Sequence, residues 1–130
     1  MSNVFKDQSN FMRACDQSVT LDNAQFEMYL GLIKEEYTEL LEARGINEQG
    51  VKFRDADPVE TLDALIDILV VTIGAIHSAG FDGEGAWNEV MRSNFSKVSK
   101  DGKVRKREDG KILKPIGYSA PNLTPFLRKE

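Results

Sequence analysis

The stretch from Pro58 to Ala79 restricts this chain more than any other. Leu62, Leu65, Ile66, Leu69 and Ile73 occupy one side of a helix drawn through it, and Ala64, Ile68, Val71 and Ala75 the other. A helix apolar on nearly every side belongs inside a protein. It nevertheless carries Glu60, Asp63 and Asp67. With Val59 at 0° and ~100° per residue, these fall at about 100°, 40° and 80°, in one stripe. Carboxylates taken out of water cost on the order of several kcal/mol each unless paired, protonated or bound to a cation.

Protein cations are scarce where they would be needed. Residues 1–96 hold 7 Lys and Arg against 17 Asp and Glu, and no base lies on the third helix. The segment 97–114 reverses the balance, with 8 bases against 3 acids, inside a chain of net charge −4. Cations from solution are therefore the economical partners of the acid stripe. Clustered oxygen donors suit Mg²⁺, with Mn²⁺ as a substitute. Cys15 and His77 are the sole cysteine and histidine, which excludes an intramolecular disulfide, a cysteine-based zinc site and paired-histidine chemistry. One free thiol and an N-terminus without an apolar leader predict a cytoplasmic protein. The apolar run Ala64–Ile76 is too short for the ~20 residues of a membrane span.

Three further helices follow from spacing and punctuation. Val4, Phe5, Phe11, Met12 and Cys15 give a weak first pattern. From Asp22 to Arg44, Phe26, Leu30, Ile33, Tyr37, Leu40 and Leu41 recur at helical spacing, with Asp22 as N-cap and Gly45 just past the end. Asp57-Pro58 opens the third helix and Gly80 closes it. Asp82 caps a fourth, with Ala86, Trp87, Val90, Met91, Asn94 and Val98 on one face. Asp101-Gly102-Lys103 and Asp109-Gly110-Lys111 mark turns of a small hairpin or an extended arm. Pro115, Pro121 and Pro125 predict an irregular end. The expected class is all-α: one domain over 1–130, a helical bundle about 5–98 with a basic, irregular, partly extended tail about 99–130.

On the second helix, Glu36 and Glu39 lie one turn apart at the edge of the apolar stripe, while Glu35 and Glu42 point outward. Alone, Glu35-Glu36-x-x-Glu39 reads as a solvated face. A second acid row on a buried helix removes that reading, and two helices with facing acid rows form a metal-site arrangement of helical bundles.

Glu36-x-x-Glu39 followed by Glu60-x-x-Asp63 resembles the ExxE…ExxD signature of the all-α nucleoside triphosphate pyrophosphohydrolases. These are the MazG-like proteins, which include phosphoribosyl-ATP pyrophosphohydrolase and the dimeric dUTPases. The run Glu89-Val-Met-Arg-Ser-Asn94-Phe-Ser-Lys97 and the tail Asp109-Gly-Lys-Ile-Leu-Lys114-Pro resemble a compact branch associated with bacteria and phages. The resemblance covers roughly residues 5–125. It implies Mg²⁺-dependent hydrolysis of a nucleoside triphosphate to monophosphate and pyrophosphate, with Glu36, Glu39, Glu60 and Asp63 as metal ligands. Asp67 is then an extra ligand or a hydrogen-bond acceptor behind them. The family's roles in balancing nucleotide pools point to a dGTP- or dUTP-type substrate in a bacterial or phage-infected cytoplasm.

An acidic pocket binds a triphosphate only through cations that invert its field. Glu35 or Glu39 is the candidate proton acceptor. Asn94 and Lys97, then Lys103 and Arg105 in the basic strip, are candidate phosphate or sugar contacts, and Gln17 a candidate base contact. His77 reads as structural, Cys15 as a small core residue, and Phe11, Phe26 and Trp87 as core. A nucleic-acid-binding module built on 97–114 is disfavoured, since no base-reading motif accompanies the charge. A non-enzymatic helical interaction protein leaves the acid stripe unexplained. One chain offers too little surface to cover the third helix, which predicts a homodimer or homotetramer.

Overall fold

The computed structural model describes residues 3–129. It contains four α-helices: α1 (Val4–Ala14), α2 (Asn23–Arg44), α3 (Pro58–Ser78) and α4 (Gly83–Phe95), with a single 3-10 turn at Thr124–Phe126. The all-α class holds. Two compact units form, Met1–Phe81 and Asp82–Glu130. The division thus precedes α4, whereas the sequence changes character only near Val98.

In the first unit the helix ends are set by the expected residues. Asp22 Oδ1 accepts the Gln25 N–H at 3.0 Å, and Asp57 Oδ1 accepts those of Val59 and Glu60 at 3.0 and 3.1 Å. These side chains satisfy amides that a first helical turn leaves without partners. Gly45 and Gly80 take positive φ, 68° and 76°, as the chain leaves α2 and α3. The two helices run antiparallel. The Asp22 N–H donates to Ser78 O at 2.9 Å at one end, and the Asp57 N–H to Ala43 O at 2.8 Å at the other. Between these ends Tyr29 of α2 lies against Gly74 of α3.

The core consists of Met12, Tyr29, Val71 and Ala75, with Val19, Phe26, Leu32 and Ile33 packed on it. The face that α2 turns inward is the expected one in part, since Phe26 and Ile33 pack on the core, but it is rotated towards Tyr29. Tyr29 is buried, whereas Leu30 and Tyr37 of the expected stripe are exposed. Tyr29 wins because its phenol donates a short hydrogen bond to Gln17 Oε1 while its ring fits the space a missing Cβ leaves at Gly74. The rotation brings Glu36 round towards α3. It also settles α3, whose C-terminal half is buried at Val71, Ile73, Gly74, Ala75, His77 and Ser78 while Leu62, Leu65, Ile66 and Leu69 stay exposed. This agrees with the expectation that one chain offers too little surface to cover this helix: α1 and α2 cover only part of its circumference.

Further corrections concern single residues. Cys15 and Phe11 are exposed rather than in the core. Cys15 caps the end of α1, where the chain turns away. His77 is structural, as expected: buried, with Nε2 2.8 Å from Phe5 O and its ring edge-on to that of Phe5.

In the second unit α4 stops at Phe95, short of Val98, because the Ser96 hydroxyl turns back to Ser93 O and also accepts the Ser119 N–H at 2.9 Å. Its buried residues are Gly83 and Ser93, so Trp87 and Asn94 lie exposed and not on an inward stripe. Glu89 binds Arg92 through both carboxylate oxygens and accepts the Asn122 N–H at 2.7 Å, tying the tail to α4. These donors hold the Glu89 carboxyl down at about 2. Between Arg105 and Leu113 the chain doubles back at Asp109-Gly110 with one antiparallel bridge, Lys106 to Ile112, so the hairpin alternative is the one observed.

Gly74 generates a testable expectation. A methyl group there would enter the Tyr29 ring. Gly74→Ala should therefore destabilise the protein by about 1–3 kcal/mol, the usual cost of overpacking, although alanine favours helices more than glycine does. Urea unfolding measures this; an unchanged or raised midpoint would refute the tight Tyr29 contact.

Candidate metal and substrate site

The antiparallel register carries the acid rows of α2 and α3 to one place. Glu36, Glu39 and Asp67 each offer an oxygen within 4.8 Å of the others. Asp63, one turn from Asp67 on α3, lies close enough to act on both Asp67 and Glu36. Glu36 and Asp67 are half-buried, whereas Glu39, Glu60 and Asp63 are exposed. Glu39 and Asp63 also face a neighbouring cavity of about 600 Å³, where Glu60 lies with Glu42, Asp55 and Asp57. Of the expected ligands, Glu60 and Asp63 stand outside the tight group, both on the cavity wall. Glu35 is exposed and is in neither place.

The electrostatics follow from crowding. Burial pushes the Glu36 carboxyl up to about 7, and the nearby Glu39, Asp67 and Asp63 add to the shift. Asp67 is also raised, first by burial and then by Asp63 and Glu39. Glu36 Oε2 is buried without a hydrogen-bond partner. A buried oxygen left unpaired among like charges calls for a proton or a cation. The donors are all carboxylate oxygens, the set that hard divalent cations prefer. The residues present therefore fit a divalent metal ion.

One residue of this site, in the connection between α2 and α3, is not among the candidates that the sequence offers. Arg54 is the one basic side chain on the cavity wall. Gly45 allows its delivery: the loop folds back so closely that a Cβ on Gly45 would strike the Arg54 backbone. Phe53 N–H donates to Gly45 O at 2.8 Å. The Arg54 guanidinium then makes a short hydrogen bond to Glu42 O in the last turn of α2 and sits 5.3 Å from the Phe53 ring centre. A cation at a helix C-terminus is favoured by the helix dipole. The signal was there in the rarity of bases before Lys97 and the position of Arg54 just ahead of the acid-bearing helix.

The other expected contacts are distributed differently. Gln17 is engaged by the Tyr29 phenol and lies in the first unit. Asn94, Lys97, Lys103 and Arg105 belong to the second unit, where Lys97 Nζ donates to Asn94 Oδ1 at 3.3 Å. Arg105 and Lys97 line a separate cavity there, and Lys103 does not.

A family model described as phosphoribosyl-ATP pyrophosphohydrolase matches residues 10–94, the span that contains the last five residues of α1, all of α2 and α3, and α4 up to Asn94. The chain belongs to the phosphoribosyl-ATP pyrophosphohydrolase family. This family is part of the MazG-like, all-α nucleoside triphosphate pyrophosphohydrolase superfamily. Membership makes the chain, at this coarse level, a pyrophosphohydrolase and gives it a nucleotide substrate. None of the curated proteins matches it in sequence. Among the described residues, no helix is long and apolar enough to cross a membrane.

The raised Glu36 value yields a pH dependence with a definite sign. Between the ordinary glutamate value of 4.5 and about 7, the native state holds a proton that the unfolded state has lost. Metal-free stability should therefore be greatest below 4.5 as far as this group is concerned, and fall as pH rises through 7. Glu36→Gln should raise the metal-free melting temperature at pH 8 and leave it nearly unchanged at pH 5. Scanning calorimetry in EDTA checks this; a variant less stable than the parent at pH 8 would contradict the crowding.

Proposed function

We propose that the chain is a Mg²⁺-dependent nucleoside triphosphate pyrophosphohydrolase, converting a deoxynucleoside triphosphate and water to the monophosphate and pyrophosphate. The observation that carries this reading is the meeting of Glu36, Glu39 and Asp67 oxygens around an unpartnered Glu36 Oε2, in a member of this family. Glu36, Glu39 and Asp67 would hold the cation, with Asp63 beside them. A divalent cation bound there would neutralise phosphate charge and lower the pKa of water.

The chain's own residues then have separate tasks. Glu39 belongs both to the tight group and to the cavity wall, which favours it over the remote Glu35 as acceptor of the water proton. The water oxygen bonds to the α-phosphorus as the bond to the β-phosphate breaks, and pyrophosphate departs. Arg54, the cation of that cavity, is suited to a phosphate oxygen of the departing group. Glu60 and Asp63 on the same wall keep the cavity acidic, so that a triphosphate enters only with its cation. Gln17 is proposed as a base contact held in place by Tyr29, whereas Asn94, Lys97, Lys103 and Arg105 belong to the second unit and are not assigned to this cavity. A dGTP- or dUTP-type substrate would make the protein a regulator of a cytoplasmic deoxynucleotide pool, in a bacterium or a phage-infected cell.

Pyrophosphate release over the common deoxynucleoside triphosphates tests the reading. Glu39→Gln and Asp67→Asn should each lower turnover at least a hundredfold while leaving the circular dichroism spectrum intact. Near-parental turnover in both, or full turnover in EDTA, would place the chemistry elsewhere.

The exposed apolar stripe on α3 supports the oligomer. Leu62, Leu65, Ile66 and Leu69 recur at helical spacing and are 62, 46, 49 and 53% exposed. Contiguous apolar surface of this kind marks an interface. A homodimer or homotetramer would cover it. Light scattering at low micromolar protein should give at least twice the 14.6 kDa chain mass, and Ile66→Asp should reduce it to one chain. A parental monomer would overturn the proposal.

A further inference from the structure

A second cavity, of about 890 Å³, lies wholly within the second unit, between the end of α4 and the hairpin. Lys97, Lys100, Arg105 and Lys114 line it, and no carboxylate does. None of the four has a carboxylate within ion-pair distance among the described residues; the salt bridges there join Lys52 to Asp55, Arg92 to Glu89 and Arg107 to Asp109. Of the three acids in the segment 97–114, Glu108 does not line the cavity and the other two are spent on their own turns. Asp101 accepts the Lys103 N–H at 3.0 Å, and Asp109 takes both Arg107 and the Lys111 N–H. Lys97 and Lys114 bring their ammonium groups 6.0 and 4.9 Å from the centre of the same Tyr118 ring. The ring gathers two like charges that repel each other. The remaining wall is mostly apolar, with Val98, Leu113, Pro115 and Ile116 beside the hydroxyls of Ser96 and Ser99.

We propose that this cavity is a metal-independent binding site for a nucleoside di- or triphosphate, its cations taking the phosphates and its apolar wall the nucleoside. This site is opposite in character to the acidic one. Anions reach the carboxylates of α2 and α3 only through a cation, whereas here the protein itself supplies the positive charge. The inference does not rest on the hydrolysis reading and would stand if no turnover were found. A bounded cavity with an apolar wall fits one nucleotide. A nucleic-acid strand would instead call for a continuous basic groove with exposed stacking aromatics, and the Tyr118 ring is already engaged by lysines.

Calorimetric titration of the full chain in EDTA tests this with inorganic pyrophosphate, a nucleoside diphosphate and a short single-stranded DNA. EDTA closes the route through a cation, so the outcome is independent of the acidic site. One nucleoside diphosphate should bind per chain, severalfold tighter than pyrophosphate because of the apolar wall. Arg105→Gln and Lys114→Gln should each weaken it by about tenfold, the value of a charge-assisted hydrogen bond. Lys111→Gln removes an equal charge from the same hairpin outside the cavity and should change it less than twofold. Circular dichroism of each variant separates lost binding from lost fold. No binding in EDTA, equal losses in all three variants, or DNA bound more tightly than the nucleotide would overturn the proposal.

Discussion

Like charges forced together between two helices organise the first unit. Glu36, Glu39, Asp63 and Asp67 repel one another, and burial of Glu36 makes the repulsion worse. Such a cluster survives only if the contacts on either side of it hold α2 and α3 in place. On one side these are the Tyr29–Gly74 contact and the Met12, Val71 and Ala75 core. On the other they are the Asp57–Ala43 hydrogen bond and the loop that brings Arg54 to Glu42. The folded chain thus holds a local instability that a cation relieves. Metal affinity and the raised Glu36 value are two expressions of it.

Charge is separated along the chain as well. The acidic excess lies in the helices up to Phe95, and the basic excess in the segment that follows. In the first unit the acids line their own cavity with Arg54 as the single base; in the second, four bases line a cavity without an acid. Neither set neutralises itself internally. Residues that could pair within each unit are instead arranged to leave one sign in excess, which is the usual condition of surfaces that bind ions of the other sign.

Much of this was legible in the sequence. Asp22, Asp57 and Asp82 announced three helix starts, and Gly45 and Gly80 two endings, because caps are decided by neighbours within a few residues. The acid pairs were legible too, since helical spacing alone puts Glu36 by Glu39 and Asp63 by Asp67. The inward face of α2 was legible only in part, through Phe26 and Ile33. Periodicity favoured Leu30 and Tyr37, but the decision was made by Gly74, 45 positions after Tyr29, whose missing side chain admits a ring. Choosing between Glu60 and Asp67 required the same distant fact. The register of α2 against α3 brings Asp67, and not Glu60, to the Glu36–Glu39 pair. Arg54 escaped notice because its placement depends on a loop folding back over Gly45, which leaves no periodic trace.

The Tyr29–Gly74 contact also works as a spacer. Glu36 lies seven residues beyond Tyr29 on α2, and Asp67 seven residues before Gly74 on α3, so both sit about 10.5 Å along antiparallel helices from the contact. The separation of the helices at Gly74 is therefore inherited by the carboxylates two turns away. Interhelical packing and the bite of the ion site are one mechanical variable. Any substitution that thickens the contact would present as a change in which cation fits, smaller ions being penalised first, since they demand the shortest and most regular coordination.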